Sequence, residues 1–306
     1  MALTYSELDS VTQKYYIPKL VDNIFASNSF LQRLRKKSYK PQEGGTLIMQ
    51  PLLYAKTTAT GWYSGTDTLN TTANDQITAG YWPRAHTYAS VTITHTDELE
   101  NAGDSQVIDF VKAKVQAAEL TIADAMGTGL FNLGTDAKAI VGLRLAIDST
   151  GTYGGINRSD YTWWASDEDG TTTTLTLAAM QAAVGDVSIG NDKPSVAFTT
   201  QDILESFVNL LQPQQRFQDS ETADAGFQNV MFLSIPIIAD SHCPASNMFF
   251  VNEKYWSLLH SPRDNFRWTG FIKAIDQEVV TGRVLWAGQL VCSNCRMNAK
   301  LNALTD

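Results

Sequence analysis

Between two strand-like segments of this chain lies a stretch of about thirty residues that has almost nothing with which to build a core of its own. Thr46-Leu-Ile-Met-Gln-Pro-Leu-Leu-Tyr begins as a strand. Residues 87–95 alternate cleanly, with Val91 and Ile93 on one face and Ser90, Thr92 and Thr94 on the other. The residues between them are mostly Thr, Gly, Asn and Ala, yet Trp62, Tyr63, Tyr81 and Trp82 sit among them. A compact domain seldom carries so long a connection unless it is functional or disordered. Aromatic rings on a polar projection point to burial against another molecule.

The flanks of this stretch differ from it in kind. Residues 1–45 read as an arm. A helix is predicted from about Pro18, with Leu20, Val21, Ile24, Phe25, Leu31 and Leu34 at roughly helical spacing and an interruption at Asn28 and Ser29. The arm ends on the basic cluster Arg33, Arg35, Lys36 and Lys37, where a helix dipole favours cations, before Gly44-Gly45 breaks the chain. Beyond residue 103, Asp104-Ser105 is a predicted cap. Val107, Val111, Val115, Ala118, Ile122 and Met126 then trace one face of a helix that Gly127 and Gly129 are expected to end. Such a helix exceeds twenty residues, roughly 30 Å at ~1.5 Å per residue, and suits a spine for strands to lie across.

From about residue 138 the pattern is mixed. Strands are expected at 139–143, 195–200, 230–233, 235–239, 248–251 and in segments of 277–292, with helices near 177–187 and 201–211, the second closed by Pro213. Strands and helices in this order predict an α+β fold and not a doubly wound sheet.

Composition narrows the function classes. Of 306 residues 43% are hydrophobic and only 18% charged, which fits a chain that hides much of its surface against copies of itself. Lys and Arg number 23 against 32 Asp and Glu, a net charge of −9, the wrong sign for a protein that grips nucleic acid along its whole surface. The sign is uneven: seven cations against four acids put residues 1–45 at about +3 and the remainder at about −12. No run approaches the ~18–20 apolar residues that span a membrane, and the first residues lack the pattern of a secretory signal. Three cysteines are too few and too scattered for a disulfide framework, which leaves reduced thiols as the expectation.

Motifs that carry chemistry are thin. Cys292-Ser-Asn-Cys295 supplies two of the four ligands a zinc site needs, without a second pair, and lies in a strand-like run where positions three apart face opposite sides. Asp240-Ser-His-Cys243 sets a thiol beside an imidazole, but catalytic pairs assemble in space and Pro244 marks a loop. His95-Thr-Asp-Glu98, even with His86, is a sparse metal set, and its acids suit a helix start. There is no phosphate-binding loop and no nucleophile elbow. Trp163-Trp164 and Trp62 offer flat surfaces for a sugar, or more simply for core or interface packing. No catalytic, cofactor-binding or metal-ligating residue is expected.

A basic arm, a long polar hairpin, a lone long helix, a mixed domain and a returning strand follow one another here. That order resembles the major capsid proteins of tailed bacteriophages, with their Hong Kong 97-type (HK97-like) fold. Leu130-Phe-Asn-Leu-Gly, Ala139-Ile-Val-Gly-Leu and Gly154-Gly-Ile-Asn-Arg-Ser-Asp-Tyr-Thr-Trp-Trp are similar to the family's run after its spine helix. Ile235-Pro-Ile-Ile-Ala-Asp and Met248-Phe-Phe-Val-Asn-Glu-Lys-Tyr-Trp are similar to its later strands. The resemblance implies an N-terminal arm at 1–45, an extended loop over a neighbouring subunit at 46–103, and the spine helix of a peripheral domain at 104–137. It further implies an axial domain at 138–276 and strands returning to the peripheral domain at 277–306. It implies hexamers and pentamers in an icosahedral shell around double-stranded DNA, with weak non-specific DNA contact, a virion location and assembly in the host cytoplasm. Portal and scaffolding or decoration proteins would be partners, and no membrane and no cofactor are involved. Because the arm begins almost at Met1, a separate scaffold or none is expected. Lys56 is the only lysine at 46–103, and nothing marks it as reactive. Subunit-interface candidates on this reading are Trp62, Tyr63, Tyr81, Trp82, Arg84 and Arg158. The alternatives are an encapsulin-type compartment shell, another virion component such as a tail or decoration protein, and an α+β hydrolase or other enzyme.

Overall fold

The computed structural model describes residues 28–96, 110–170, 174–215, 231–273 and 278–304. The chain divides into two compact units. One draws on Tyr88–Ile122 and Phe266–Leu285, the other on Ala26–Thr87, Ala123–Asn265 and Trp286–Asp306.

The larger unit is built on a six-stranded mixed sheet. In spatial order its strands are Asp167–Asp169, Ala299–Leu301, Met248–Val251, Val196–Thr199, Ile235–Ala239 and Met231–Phe232. Met248–Val251 and Val196–Thr199 are central and buried at every position, which is why they read as continuous apolar runs instead of alternating ones. Met248 and Phe250 join Met180, Val184, Ile203 and Phe207 in one hydrophobic cluster, so helices Leu177–Asp186 and Gln201–Gln215 cover that face. Phe198 and Phe249 point the other way. Phe30, in helix Ser29–Lys37, packs on Phe198 at 4.8 Å, and Phe131 lies 5.8 Å from Phe249. In the same unit Tyr39–Pro41 runs parallel to Trp256–His260, which pairs antiparallel with the second half of Val279–Cys292.

The smaller unit holds the first half of that 14-residue strand. Arg267–Trp268 and Ile272–Lys273 pair antiparallel with it, and Ala85–Thr94 joins the same strand. Val91 and Ile93 are buried and Ser90, Thr92 and Thr94 exposed, as their alternation predicts.

Local expectations need correction at several points. Asn28, where a helical run is expected to break, has a non-helical backbone and acts as a cap: its side chain accepts from the Leu31 amide at 3.0 Å at the start of helix Ser29–Lys37. The long helix spans Phe110–Leu130 and runs through Gly127 and Gly129. Gly127 is required by packing, because a Cβ there would lie 2.3 Å from Asn28 Nδ2 and 2.9 Å from the His242 ring. Residues 139–142 form no strand; the Val141 amide is held by Gln289 Oε1 at 2.9 Å and a helical turn, Leu143–Ala146, follows. Helix Gln201–Gln215 continues past Pro213 and is not closed by it. Residues 18–27 of the predicted arm helix, the Asp104-Ser105 cap with Val107, and Asp97-Glu98 lie outside the described residues.

Candidate assembly surfaces

Leu47–Leu53 and Ile77–Pro83 form an antiparallel ribbon with seven paired positions, from Leu47 opposite Pro83 to Leu53 opposite Ile77. A strand turns alternate residues to opposite faces. On one face Ile48, Leu52 and Trp82 are buried. The Trp82 indole stands edge-on to Tyr153 at 5.5 Å and close over Gly154, where a Cβ would lie 2.7 Å away and φ is +60°. The Tyr81 amide donates to Gly154 O at 2.9 Å and fixes the ribbon to this loop. The opposite face carries Leu47, Met49, Leu53, Ile77 and Tyr81, all exposed, with Leu53 at 75% and Ile77 at 71%. Five large apolar side chains on one solvent-facing ribbon face exceed the scattered exposure normal for a monomer.

Past the ribbon the two legs stay together for a few residues. Tyr54 N donates to Gln76 O at 3.0 Å, and Asn74 Nδ2 donates to Lys56 O at 3.2 Å. Beyond them residues 60–73 are exposed throughout; Trp62 has its full side-chain surface in solvent and Tyr63 is 70% exposed. The aromatic-bearing stretch at 57–86 is thus two structures: a projecting tip, and a strand, Ile77–Pro83, that is half core. At the ribbon's root Arg84 Nη2 donates to Gly44 O at 2.7 Å.

Two interface candidates are interior. Trp82 is 1% exposed for the reason just given. Arg158 is also 1% exposed. Its guanidinium donates to the carbonyls of Thr150, Leu145 and Ala146 at 2.8, 2.9 and 2.7 Å and lies 5.5 Å from the Tyr153 ring centroid. It satisfies backbone oxygens of the turn Leu143–Ala146, where the Ala146 carbonyl also receives Ser166 Oγ at 3.4 Å. Neither residue has surface to offer a partner. Trp62, Tyr63 and Tyr81 are exposed, and Arg84 is partly so.

The basic cluster is partly consumed inside the chain. Arg33 Nε and Nη2 donate to the Glu253 carboxylate at 2.7 and 2.8 Å, and Lys37 Nζ adds a bond of 2.7 Å. Burial raises the Glu253 pKa, but the bonds from Arg33 and Lys37 outweigh it and hold the carboxyl at about 2. Arg35 and Lys36 stay at the surface.

The cysteines and His242 are held within the fold. Cys243, Cys292 and Cys295 are free, buried thiols. Cys292 ends a strand, and the turn Cys295–Met297 brings its thiol to that of Cys295, so the two do not face opposite sides as expected of a continuous strand. Burial, then Cys295, pushes the Cys292 thiol well above its ordinary range, the opposite of a reactive cysteine. Cys243 is likewise pushed up by burial and by Asp240. His242 turns to carboxylates: its Nε2 is 2.9 Å from Asp124 Oδ1 and its Nδ1 is 3.4 Å from Asp240 Oδ1. Asp240 also receives the Phe30 amide at 2.9 Å, so the cluster ties the start of helix Ser29–Lys37 to the body. Among the described residues no three His, Cys, Asp or Glu side chains cluster to hold a metal, and no helix is long and apolar enough to cross a membrane.

Residue-type reasoning missed a groove at the ribbon's root, lined by Tyr54, Tyr81, Tyr161 and Trp163 with a volume of about 330 Å³. It also missed the exposed ribbon face, although Leu47-Ile-Met and Leu52-Leu53 are apolar on both parities, the signature of a strand covered on both sides.

No family model matches this sequence, and no curated protein matches it by sequence. Solved structures do match. The subunit in the capsid asymmetric unit of cyanophage A-1(L) superposes with a TM-score of 0.74 at 18% identity, over 99% of this chain and 100% of its own. The capsid of the native GTA particle gives 0.72 at 12% identity, over 99% and 100%. The SrpI encapsulin of Synechococcus elongatus gives 0.63 at 10% identity, over 99% and 96%. The chain therefore has the HK97-like α+β fold shared by these shell subunits.

Proposed function

We propose that this chain is a major capsid protein that assembles into the hexamers and pentamers of an icosahedral phage head enclosing double-stranded DNA, with a structural and non-enzymatic role. The observation that carries the reading is coverage: the matched capsid subunits are spanned at 99–100% of both chains. The apolar outer face of the ribbon and its aromatic tip supply what a shell subunit needs, a large contact that is unsatisfied in one copy and repeated in every copy.

On this reading residues 1–45 are the arm and 46–103 the extended loop, with contact made by the tip and by the outer ribbon face. Residues 104–137 carry the spine helix, 138–276 the axial domain and 277–306 the returning strands. Portal and scaffolding or decoration proteins are its partners in the virion, after assembly in the host cytoplasm. Packaged DNA is touched weakly: the chain is −9 overall, and two of the four clustered arm cations are bound to Glu253. A gel shift at physiological salt should show no tight complex; strong retention of DNA by isolated subunits counts against this part.

The encapsulin match supports a second reading, a compartment shell around a protein cargo. Neighbouring genes separate the two, terminase and portal genes for a phage head and a cargo-enzyme gene for a compartment. The shell reading itself is tested by electron microscopy of the purified chain. Closed particles or capsomer rings are expected, and a monodisperse monomer with hydrolytic activity is the contrary result.

A further inference from the structure

The ribbon ends in an aromatic tip and starts beside an aromatic groove, and the two are different patches of one chain. In the groove Tyr54 stacks with Trp163 at 5.5 Å and Tyr161 meets Trp163 edge-on at 6.4 Å. It opens to solvent along Tyr81 and Tyr161, 44% and 50% exposed. The Trp163 indole N–H is shielded from solvent and has no acceptor among the described residues, although buried N–H groups nearly always find one. About 330 Å³ is enough for one or two aromatic side chains and far too little for a helix.

The tip is complementary in chemistry. Trp62 is fully exposed, so it does not occupy its own groove. Eight residues separate it from Tyr54, a reach of up to roughly 26–29 Å for extended chain, and the bonds between the legs carry it outward. Residues 57–73 hold a single charge, Asp67, so seating the tip strips water from little that is charged. An entering segment also brings backbone carbonyls to a site that lacks an acceptor for Trp163.

We infer that Trp62, with Tyr63 beside it, seats in the Tyr54–Tyr81–Tyr161–Trp163 groove of a second copy of this chain. A projecting patch that fits a receiving patch elsewhere on the same chain is a heterologous contact: every copy gives one tip and receives one, and such contacts form a ring where the rotation between copies closes. Stacking and edge-on contacts between rings give the fit its geometry. The inference rests on the shell reading and specifies where the projection lands.

The test uses the full chain with Trp62→Cys and Tyr161→Cys together, which is practicable because all three native thiols are buried. Assembled particles are oxidised and run on a non-reducing gel. The expected result is a ladder of covalent oligomers reaching five and six copies, absent from either single variant. Normal particles from the double variant with no ladder overturn the inference and leave the shell reading standing. A wild-type chain that forms no particles overturns both. If the double variant does not assemble, a photo-crosslinking residue at position 62 replaces it: crosslinks to peptides containing Tyr161 or Trp163 of another copy are expected, and crosslinks that map elsewhere, or to a different protein, overturn the inference.

Discussion

Replacing Glu253 with Gln removes the charge that fastens helix Ser29–Lys37 to the body of the larger unit. The carboxylate lies in the turn Glu253–Tyr255 that follows strand Met248–Val251, and it receives both Arg33 nitrogens, Lys37 Nζ and Ser195 Oγ. Its pKa falls from an ordinary 4.5 to about 2. At ~1.36 kcal/mol per unit that drop corresponds to roughly 3.4 kcal/mol at neutral pH as an upper bound. Arg33 and Lys37 are 29% and 56% exposed, so solvent screening reduces it to about 2 kcal/mol. A depressed carboxyl stabilises the fold fully above its unfolded pKa, and the contribution is lost as pH falls from about 5 toward 2. Urea unfolding of the unassembled subunit, followed by tryptophan fluorescence from pH 7 to pH 3, measures it. Glu253→Gln is expected to lose about 2 kcal/mol at pH 7, to melt about 3 °C lower, and to show a shallower acid limb than the wild type. Curves that run parallel across the acid limb, with equal stability at pH 7, refute this account of the clamp.

Trp82→Ala opens a cavity against Tyr153 and is expected to cost about 3–5 kcal/mol in the same urea assay; a cost below 1 kcal/mol would place Trp82 outside the core. Gly127→Ala drives a methyl into Asn28 and His242 and is expected to cost about 1–3 kcal/mol, read by differential scanning calorimetry. An unchanged melting temperature would show that the long helix and the cap of helix Ser29–Lys37 are not in contact. Lys300 is 4% exposed and lies 2.9 Å from Glu168, whose carboxyl is raised by burial but drawn to about 2 by bonds from Lys300 and Asn302. Lys300→Met should cost about 3 kcal/mol and lift the Glu168 titration toward 4.5, followed by carboxyl NMR. An unmoved titration would assign the depression to Asn302 and the Ser149 amide.

How far the sequence could be read depended on whether the deciding contact was local. The alternation of Val91 and Ile93, the cations closing helix Ser29–Lys37 and the apolar runs of the central strands are short-range patterns, and they led to the α+β fold directly. Gly127 has the composition of a stop signal, but its role is set by Asn28, about a hundred residues away. Trp62 and Trp82 are indistinguishable as residues in a polar stretch. One is solvent-exposed and the other is core, because only Trp82 is in register with Ile48 on the inward ribbon face. Arg158 resembles a surface cation until the carbonyls of Thr150, Leu145 and Ala146 are placed around it. Glu253 pairs with Arg33 across 220 positions, a partnership no local spacing announces. The exposed ribbon face was written in the sequence as apolar residues of both parities. What it lacked in one chain was the second covering layer.

The most direct measurement compares the wild-type chain with one in which residues 59–73 are replaced by Asn-Gly, joining legs that Thr58 and Asn74 already hold together. Mass photometry and negative-stain microscopy of both, with urea unfolding as the control for folding, are expected to show particles from the wild type and stable, soluble, unassembled subunits from the shortened chain. Shells of normal size and yield from the shortened chain would contradict the claim that the projection is completed by another copy.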